Sequence, residues 1–451
     1  MKTLSGLVLA AVAVLAPPLA AQSVTITAPS LFITPNEGRN PVGQVEGIEG
    51  GAYTARGRDV GAIVYNPAGL ARSAKSSVSA SAPAYDWTFY TGEIGRADDT
   101  GSRISNNGRL FGLVVGGEVL GNERLSLGLA VPTPVSWKPT LQMSGLAGTG
   151  TSGAGMLFSA DGSYFDTIPT VAAGYALSPR VRVGGSVGLS FLTLTQLQEA
   201  FAEAAAPPAA AFAQRVFRAD GTSYDLLFSA GVQWDVTPAV TVGLLVTSPG
   251  VHLAGTTSLL QQEATASTGG FRTATFRDPE ADFRVKHTTK ASLGLSWRFE
   301  GGEVEADVKY FAGTSPYGMF SSGVQGLWTE ASPSSTTAGP VVFAPAHDER
   351  KAVANVSVGG RWDVSKKTSL HLGFFTARSP VGEDSVFSTV DVYGASTGVS
   401  LNWAHLSGSV GVIYEWGSQP ISVAASNGSA SASGELSITS VYLLWGLAYK
   451  F

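Results

Sequence analysis

Hydrophobic and polar residues alternate with a period of two along most of the chain. In the last segment, the odd-numbered residues from Val441 to Phe451 are apolar or aromatic. They fall on one face of an extended strand, because neighbouring side chains of a strand point to opposite faces. The same alternation recurs at 181–191, 226–234 and 293–299, where the opposite face is rich in Gly and Ser. The pattern predicts an all-β protein.

Fourteen candidate strands follow from this alternation, at 76–90, 107–119, 123–131, 165–177, 180–193, 222–236, 239–257, 283–299, 303–312, 353–364, 368–378, 391–403, 405–416 and 436–451. Tight connections are predicted at 120–122, 178–179, 237–238, 300–302, 365–367 and 404. Long ones alternate with them, at 91–106, 132–164, 194–221, 258–282, 313–352, 379–390 and 417–435. Short periplasmic turns and long extracellular loops are typical of outer-membrane barrels, whose closure satisfies every backbone hydrogen bond in lipid. We therefore predict a 14-stranded antiparallel transmembrane β-barrel over 76–451.

Aromatic residues close to the predicted strand ends fit this interpretation. They are Trp137, Trp234, Trp297, Trp362, Trp403, Trp416, Tyr449 and Phe451. Such residues form girdles at the two membrane–water interfaces of a barrel.

The N-terminus predicts the cellular compartment. Lys2 precedes an apolar stretch from Leu4 to Leu15, and small residues follow up to Ala21. This pattern indicates a signal peptide at 1–21. A membrane anchor helix is the alternative, but two prolines, Pro17 and Pro18, interrupt a run shorter than the roughly 20 residues that span a bilayer. The mature chain is expected in the bacterial outer membrane.

Composition narrows the classes of function. Charged residues make up 14% of the chain, against roughly 25% in soluble proteins. With 29 basic and 34 acidic residues there is no cationic surface for nucleic acid, so no such partner is expected. The chain has no Cys, which excludes disulfides, thiolate catalysis, Cys-zinc sites and lipoprotein anchoring.

Residues 22–75 lack strand alternation and are predicted to fill part of the lumen as an N-terminal hatch. The segment is Gly-rich and ends in the turn Asn66-Pro67-Ala68-Gly69-Leu70. Glycines on the predicted lumen face leave room for it, at 112, 116, 184, 188, 231, 243, 294, 359, 373, 398 and 411. A flexible periplasmic tail is the alternative.

These features resemble the FadL/TodX family of outer-membrane transporters for long-chain fatty acids and other hydrophobic compounds. The resemblance rests on the hatch motif 66–71, on Leu127 to Pro132 in the third strand, and on 370–374 followed by Ser379-Pro380-Val381. It implies passive transport, with the ligand captured by extracellular loops and passed to the upper lumen. A shift of the hatch around Asn66, Pro67, Ala68, Gly69 and Leu70 then opens a lateral exit near strand three.

Candidate ligand-binding residues lie in the predicted loop 194–221. Leu194, Leu197 and Phe201 have helical spacing, and Phe212 and Phe217 follow. The predicted amphipathic helix either packs on the next loop or forms a capture groove. Two arginines nearby, Arg215 and Arg218, are candidates for a ligand carboxylate or for lipopolysaccharide phosphates.

The alternation of the strands predicts which side chains face the lumen, and two prolines mark a candidate exit in the wall. Lys286 and Lys290 are predicted to face the lumen, where Lys290 is a candidate partner for a fatty carboxylate. Pro132 and Pro134 interrupt strand three, since Pro cannot donate to a ladder. They mark either a gap in the wall or a simple strand end.

Catalytic signals are weak. The G-x-S-x-G match at 184–188 lies within an alternating strand, and the G-x-G-x-x-G match at 148–153 lacks a βαβ context. The five His are scattered without ligand spacing, so neither a metal nor a cofactor is expected. We predict a transporter that is not an enzyme. Its expected partners are a hydrophobic small molecule, outer-membrane lipid, lipopolysaccharide and the barrel-assembly machinery. A PorV-like secretion partner and a general porin are the alternatives.

Overall fold

The structure, a computed structural model, describes residues 24–27, 36–39, 41–73, 75–94, 97–105, 109–147, 154–204, 211–267, 269–383, 385, 389–424 and 431–451. The predicted signal peptide lies outside these residues. The described helices are short, Ala62–Tyr65 (α1), Gly117–Leu120 (α2) and a 3-10 helix at Pro67–Arg72. None of them is long and apolar enough to cross a membrane.

Fourteen strands, several of them interrupted, form the wall. They are β1 (Ser77–Ile94), β2 (Ala97–Ser105 and Leu110–Val115), β3 (Leu125–Pro132, Val135–Trp137 and Thr140–Ala147), β4 (Ala154–Thr167 and Thr170–Ala176), β5 (Val181–Ala204), β6 (Ala211–Asp235), β7 (Val240–Thr247 and Val251–Ser267), β8 (Gly270–Phe283 and Lys290–Phe299), β9 (Gly302–Phe311, Thr314–Ser321 and Gln325–Ser332), β10 (Ser335–Ala344, Ala346–Arg350 and Val353–Asp363), β11 (Thr368–Ala377), β12 (Val392–Asn402), β13 (Leu406–Ala424) and β14 (Ser431–Lys450).

Each strand pairs antiparallel with its neighbours in sequence, and β1 pairs with β14. The sheet is therefore a closed barrel without an edge, which confirms the predicted fold class. A short strand at Val24–Thr27 adds in parallel to the upper segment of β10. Both the start of β1 and the end of β14 lie at the end of the barrel with the short turns.

The strands run much further than predicted at the other end. β5 and β6 pair without a break from Val181–Trp234 to Ala204–Ala211. The helix predicted within 194–221 is therefore wrong, and so is the long loop at 258–282, most of which belongs to β7 and β8. Apolar residues three and four apart satisfied the helical template, but alternate residues of this stretch are buried and exposed, as in a strand.

The outer face of the lower half is an apolar band. In β5 it extends from Val181 to Phe191, about 33 Å of strand at 3.3 Å per residue before tilt. Phe191 packs edge-on against Tyr224 at its upper border, with ring centroids 5.3 Å apart. At the lower border Trp297, Trp362 and other predicted aromatics are exposed, as an interfacial girdle requires.

Trp137 is an exception to the predicted girdle, because it lies inside the barrel at 5% exposure. Between the pairs Ala130–Thr170 and Val135–Asp166, β3 advances five residues while β4 advances four. A one-residue shift moves each following side chain to the opposite face. The bulge at Pro132–Pro134 therefore turns Trp137 inward.

Candidate functional site

The lower lumen is filled by residues 41–72, which we call the inner segment. Its backbone lies directly on the wall, because the facing wall positions are glycines. A Cβ added to Gly184 would lie 2.3 Å from the carbonyl carbon of Pro67, and one on Gly231 would lie 2.1 Å from Oδ1 of Asn66. A Cβ on Gly243 would lie 2.3 Å from the carbonyl oxygen of Thr54. The glycines predicted to leave room in the lumen thus allow close contact with this segment.

Asn66 connects the inner segment to the wall. Its side chain caps the 3-10 helix by accepting from the Ala68 N–H at 3.2 Å. Its Nδ2 donates to the carbonyl oxygens of Thr54 at 2.8 Å and of Val232 in β6 at 3.0 Å. The side chain is fully buried. Asn66 therefore fixes both the shape of the turn and its position on the barrel.

Two carboxylates of β9 hold the next part of the inner segment. Asp307 Oδ2 accepts from the Tyr53 N–H at 3.1 Å and from the Thr54 hydroxyl at 2.9 Å. Glu305 accepts from the N–H groups of Ala55 at 2.6 Å and Arg56 at 3.0 Å. Bonds from backbone N–H groups to a carboxylate are among the stronger protein hydrogen bonds. They fix residues 53–56 against β9.

Arg56 carries a buried ion-pair network. Its guanidinium pairs with Glu49 and lies 3.3 Å from Oε2 of Glu305. Nδ1 of His371, in β11, hydrogen-bonds to Glu49. Arg56 and Glu49 are 4% and 1% exposed, so each charge depends on its partner rather than on water.

Glu46 and Asp59 form an acid pair within the inner segment. Burial raises the pKa of Glu46 from its ordinary 4.5 to about 8, and the neighbouring charges of Asp59 and Glu49 add to the rise. Burial also raises the pKa of Asp59, opposed by Arg58 and Lys450. Asp59 is the one described non-glycine residue with positive φ, 70°. The packed segment therefore favours the protonated form of Glu46 beside Asp59.

We expect the inner segment to loosen as pH rises. The pKa of Glu46 is about 8 in the packed inner segment and 4.5 in the unpacked chain. The stability that its protonated form gives to the packed segment is therefore lost as pH rises from 4.5 to about 8. Hydrogen exchange of residues 41–72, corrected for the intrinsic rate, should be faster at pH 9 than at pH 6. Peptides from β13 serve as the internal reference. Glu46→Gln should abolish the difference, and an unchanged difference in that variant would assign it to another group.

Above the inner segment, inward side chains from around the wall form one buried apolar cluster, here called the upper chamber. Its members include Leu194, Phe217, Leu259, Phe276, Phe343 and Leu436. Phe276 and Phe343 stack with centroids 5.1 Å apart. Three buried glutamines lie beside the cluster: Gln196, Gln198 and Gln261. The lining of the upper chamber is therefore mostly apolar, with a few polar groups.

Between the chamber and the inner segment lies a polar group that we call the waist cluster: Asp166, Ser190, Asp225, His252 and His287. Ser190 Oγ donates to Asp166 Oδ1 at 2.6 Å and lies 3.1 Å from Nε2 of His287. Nδ1 of His252 lies 3.2 Å from Oδ1 of Asp225. Sequence reasoning missed this cluster, although its carboxylates and imidazoles interrupt the Gly/Ser-rich inward face.

The waist cluster does not have the geometry of a hydrolytic triad. Both carboxylates, Asp166 at 3.9 Å and Asp225 at 4.0 Å, approach Nε2 of His287, the same nitrogen that faces Ser190. A triad places its carboxylate at the other ring nitrogen. Among the described residues, no group of three or more His, Asp or Glu is placed to hold a metal ion.

A gap in strand pairing lies beside the predicted lateral exit. β2 and β3 pair from Val115–Leu127 to Leu110–Pro132, and one more bond joins the Thr133 N–H to the Arg109 carbonyl at 2.8 Å. Beyond it, upper β2 pairs with β1, and upper β3 pairs with β4. Among the described residues no hydrogen-bonded ladder joins Ala97–Ser105 to Thr140–Ala147, although the two segments lie close together. We call this place the side gap.

The predicted groove residues do not share one surface. Leu194 and Phe217 are buried in the upper chamber, whereas Leu197 and Phe201 are each 38% exposed. Phe212 stacks on Phe201, with ring centroids 6.4 Å apart. Neighbouring residues of an extended strand point to opposite faces, so some of the predicted groove residues face the interior and others face outward.

The predicted cations are engaged with partners. Arg215 Nε lies 3.3 Å from Glu263, and the exposed Arg218 lies 2.6 Å from Asp220. Lys290 donates to Glu37 at 2.7 Å. Burial raises the pKa of Glu37, but the neighbouring charges, that of Lys290 first and that of Arg350 next, hold this pKa below its ordinary value.

Lys286, the other predicted lumen cation, contacts an aromatic ring. Its Nζ lies 4.6 Å from the ring centroid of Tyr317, a residue of the upper chamber. The turn after β8 is one residue shorter than predicted, with Phe299 opposite Gly302. Arg298 faces Glu303 across this turn at 3.4 Å.

Comparison with solved structures finds barrels of the same architecture. A Pseudomonas aeruginosa FadL homologue matches with a TM-score of 0.57 at 12% identity, over 94% of this chain and 100% of that one. The P. putida toluene transporter TodX matches with a TM-score of 0.58 at 12% identity, over 91% and 99%. The Ralstonia pickettii toluene transporter TbuX matches with a TM-score of 0.54 at 13% identity, over 91% and 99%.

No protein-family model and no curated protein matches the sequence. The structural likeness covers the barrel almost from end to end, although the sequences have diverged widely. The chain therefore has the fold of the FadL/TodX outer-membrane transporters, in agreement with the resemblance that its motifs indicate.

Proposed function

We propose that this protein is a passive outer-membrane channel for hydrophobic small molecules. The observation that carries the proposal is the buried apolar cluster of the upper chamber, which lies above a lower lumen filled by the inner segment. An apolar solute cannot readily cross the polar lipopolysaccharide layer. An apolar interior bypasses this layer, because transfer from water to apolar surroundings is favourable.

The proposed path begins in the upper chamber. Because 194–221 forms wall strands rather than a helical loop, capture is assigned to the chamber and its rim, with Leu194 and Phe217 on its lining. The ligand leaves through the side gap next to Pro132 and Pro134, into the outer leaflet. The inner segment, from Pro41 to the 3-10 helix, closes the way to the periplasm and acts as the hatch.

The inner side of the gap suits a movable barrier. Arg109 lies at the gap, donates to the Pro41 carbonyl at 3.3 Å and lies 4.7 Å from the Tyr442 ring. Arg39 stacks 3.6 Å from the centroid of Trp137 and pairs with Glu415. In the proposed path, a small shift of Arg39, Pro41 and Val42 would open a passage from the chamber to the side gap.

Uptake by whole cells tests the function. A transport-deficient Gram-negative host that expresses this chain should take up radiolabelled toluene or oleate faster than a host with an empty vector. Asn66→Ala should lose most of this gain, because it removes the cap and the three bonds from Nδ2 to the carbonyl oxygens of Thr54, Val232 and Leu244. Such a loss costs about 1–3 kcal/mol for each buried group left unpaired. Absence of uptake of both probes by a folded barrel would refute the proposal.

A further inference from the structure

We infer, on the basis of the proposed function, that the ligand is an uncharged apolar molecule with one hydrogen-bonding group, such as an alcohol, and not a carboxylate. The inference assigns Gln196 as the residue that binds this polar group. It rests on two independent observations: polar atoms without partners in the upper chamber, and the charges that surround them.

Gln196 is fully buried, and neither its amide nitrogen nor its amide oxygen has a hydrogen-bond partner. Its cross-strand neighbours are Ala219 and Gly162, which offer no polar side chain. The next inward residues on its strand are Leu194 below and Gln198 above. A buried amide without a partner costs a few kcal/mol, so the missing bond of Gln196 is assigned to a ligand in the upper chamber.

A second unpartnered group lies on the same stretch of wall. Thr257 is 2% exposed, and its hydroxyl has no partner. Thr257, in β7, pairs with Gly221 of β6, and Gly221 pairs with Leu194 of β5. Thr257 therefore lies two strands away from Gln196 and at the level of the next inward residue below it. The indole Nε1 of Trp328, also in the chamber, is unpartnered as well. All three groups are neutral.

The amide and the hydroxyl both donate and accept hydrogen bonds. They therefore suit a hydroxyl or carbonyl group on an otherwise apolar molecule. A carboxylate can only accept, and its charge would need a cation in a place that water does not reach.

The cations near the chamber are already engaged. Lys290 pairs with Glu37, Arg350 with Asp348 at 3.0 Å, and Arg215 with Glu263. Lys286 and Arg272 lie over the rings of Tyr317 and Trp328.

The waist cluster below the chamber offers no Lys or Arg to an anion. Asp166 and Asp225 are 3% and 1% exposed, and their partners in the structure are Ser190, Ser223, His252 and His287. A ligand carboxylate at the base of the chamber would therefore meet acidic side chains. The interior favours an uncharged ligand over an anion.

A matched series of ligands tests the inference. Tritiated 1-tetradecanol is bound to the purified full chain in amphipol at pH 8, and tetradecane and tetradecanoate compete for the site. We expect the alcohol to bind at least about tenfold more tightly than either competitor, the effect of one or two net hydrogen bonds. Equal or tighter binding of tetradecanoate would overturn the inference, as would absence of binding by the whole series.

Variants identify the residue. Gln196→Leu should weaken binding of 1-tetradecanol about tenfold and leave tetradecane unchanged or tighter, since one polar partner is lost and apolar surface is gained. Gln214→Leu, at an exposed position of β6, is the matched control and should change neither. Thr257→Val provides a second, isosteric test of the same site. If all ligands weaken together in Gln196→Leu, or none does, the assignment of Gln196 is wrong.

These outcomes are independent of the uptake test. A protein that prefers the alcohol in amphipol but supports no uptake in cells would refute the channel and leave the binding site in place. Uptake of oleate at the rate of the matched alcohol would support the channel and overturn the inference.

Discussion

Leucine in place of Gly184 is expected to expel the turn at Asn66–Leu70 from the wall and to open the lumen to ions. The Cβ alone would lie 2.3 Å from the Pro67 carbonyl carbon and 2.4 Å from the Ala68 nitrogen. Both are backbone atoms, so no side-chain rotation relieves the contact. Overpacking of a core usually costs about 1–3 kcal/mol, and occasionally more. In planar bilayers the variant should show stable ion conductance that the wild type lacks.

Gly185→Leu is the matched control, because the two glycines are neighbours on one strand and face opposite sides. A Cβ on Gly185 would meet only the Ser229 carbonyl oxygen, at an ordinary 3.5 Å. This variant should remain closed to ions. Equal conductance of the two variants, or none in Gly184→Leu despite a folded barrel, would contradict the close packing of the turn on β5.

Removal of the Arg56 charge is expected to have the second large effect. Arg56→Leu leaves Glu49 and Glu305 buried without their cation, at 1% exposure each. Loss of one partner of a buried ion pair costs about 3–5 kcal/mol. Hydrogen exchange of residues 41–72 should become faster by two to four powers of ten, because each tenfold change in rate corresponds to about 1.4 kcal/mol. The exchange rates of β13 and β14 should stay unchanged.

Arg58 provides the control for this variant. Its side chain is 39% exposed and lies 3.9 Å from Glu303, so Arg58→Leu removes a partly solvated pair. Such pairs contribute at most about 1 kcal/mol. If the two variants exchange at the same rate, the inner segment is not held by the buried network. Faster exchange of the barrel strands in Arg56→Leu would show a general loss of folding instead.

Much of the barrel could be predicted from alternation and turn positions. The wall glycines show why: Gly184, Gly231 and Gly243 carry the inward parity that the sequence indicates, and the inner segment contacts them. The upper half could not be predicted in the same way. Leu194, Leu197 and Phe201 satisfy a helical template, and only the pairing with β4 and β6 fixes them as strand residues.

The site was harder to predict than the wall because its contacts join residues far apart in the sequence. Lys290 was a candidate partner for a ligand carboxylate, but it pairs with the carboxylate of Glu37, which lies 253 positions away in the sequence. Trp137 was assigned to the outer girdle because the alternation was continued through Pro132–Pro134. The bulge there exchanges the inward and outward positions, and the sequence does not show how many residues it inserts. Gln196 carries no motif, and only its burial without a partner distinguishes it.

The most direct test of the account is to lock the inner segment to the wall. A Cβ on Gly128 of β3 would lie 2.8 Å from Cγ1 of Ile63 in α1, so cysteines at 63 and 128 are close enough for a disulfide. The chain has no native Cys, so the reaction has no competitor. Cells that express the double variant Ile63→Cys with Gly128→Cys should take up radiolabelled toluene after reduction and should stop taking it up after oxidation. In cells that express either single variant, uptake should be the same after reduction and after oxidation. Undiminished uptake by the fully cross-linked protein would contradict passage controlled by a movable inner segment.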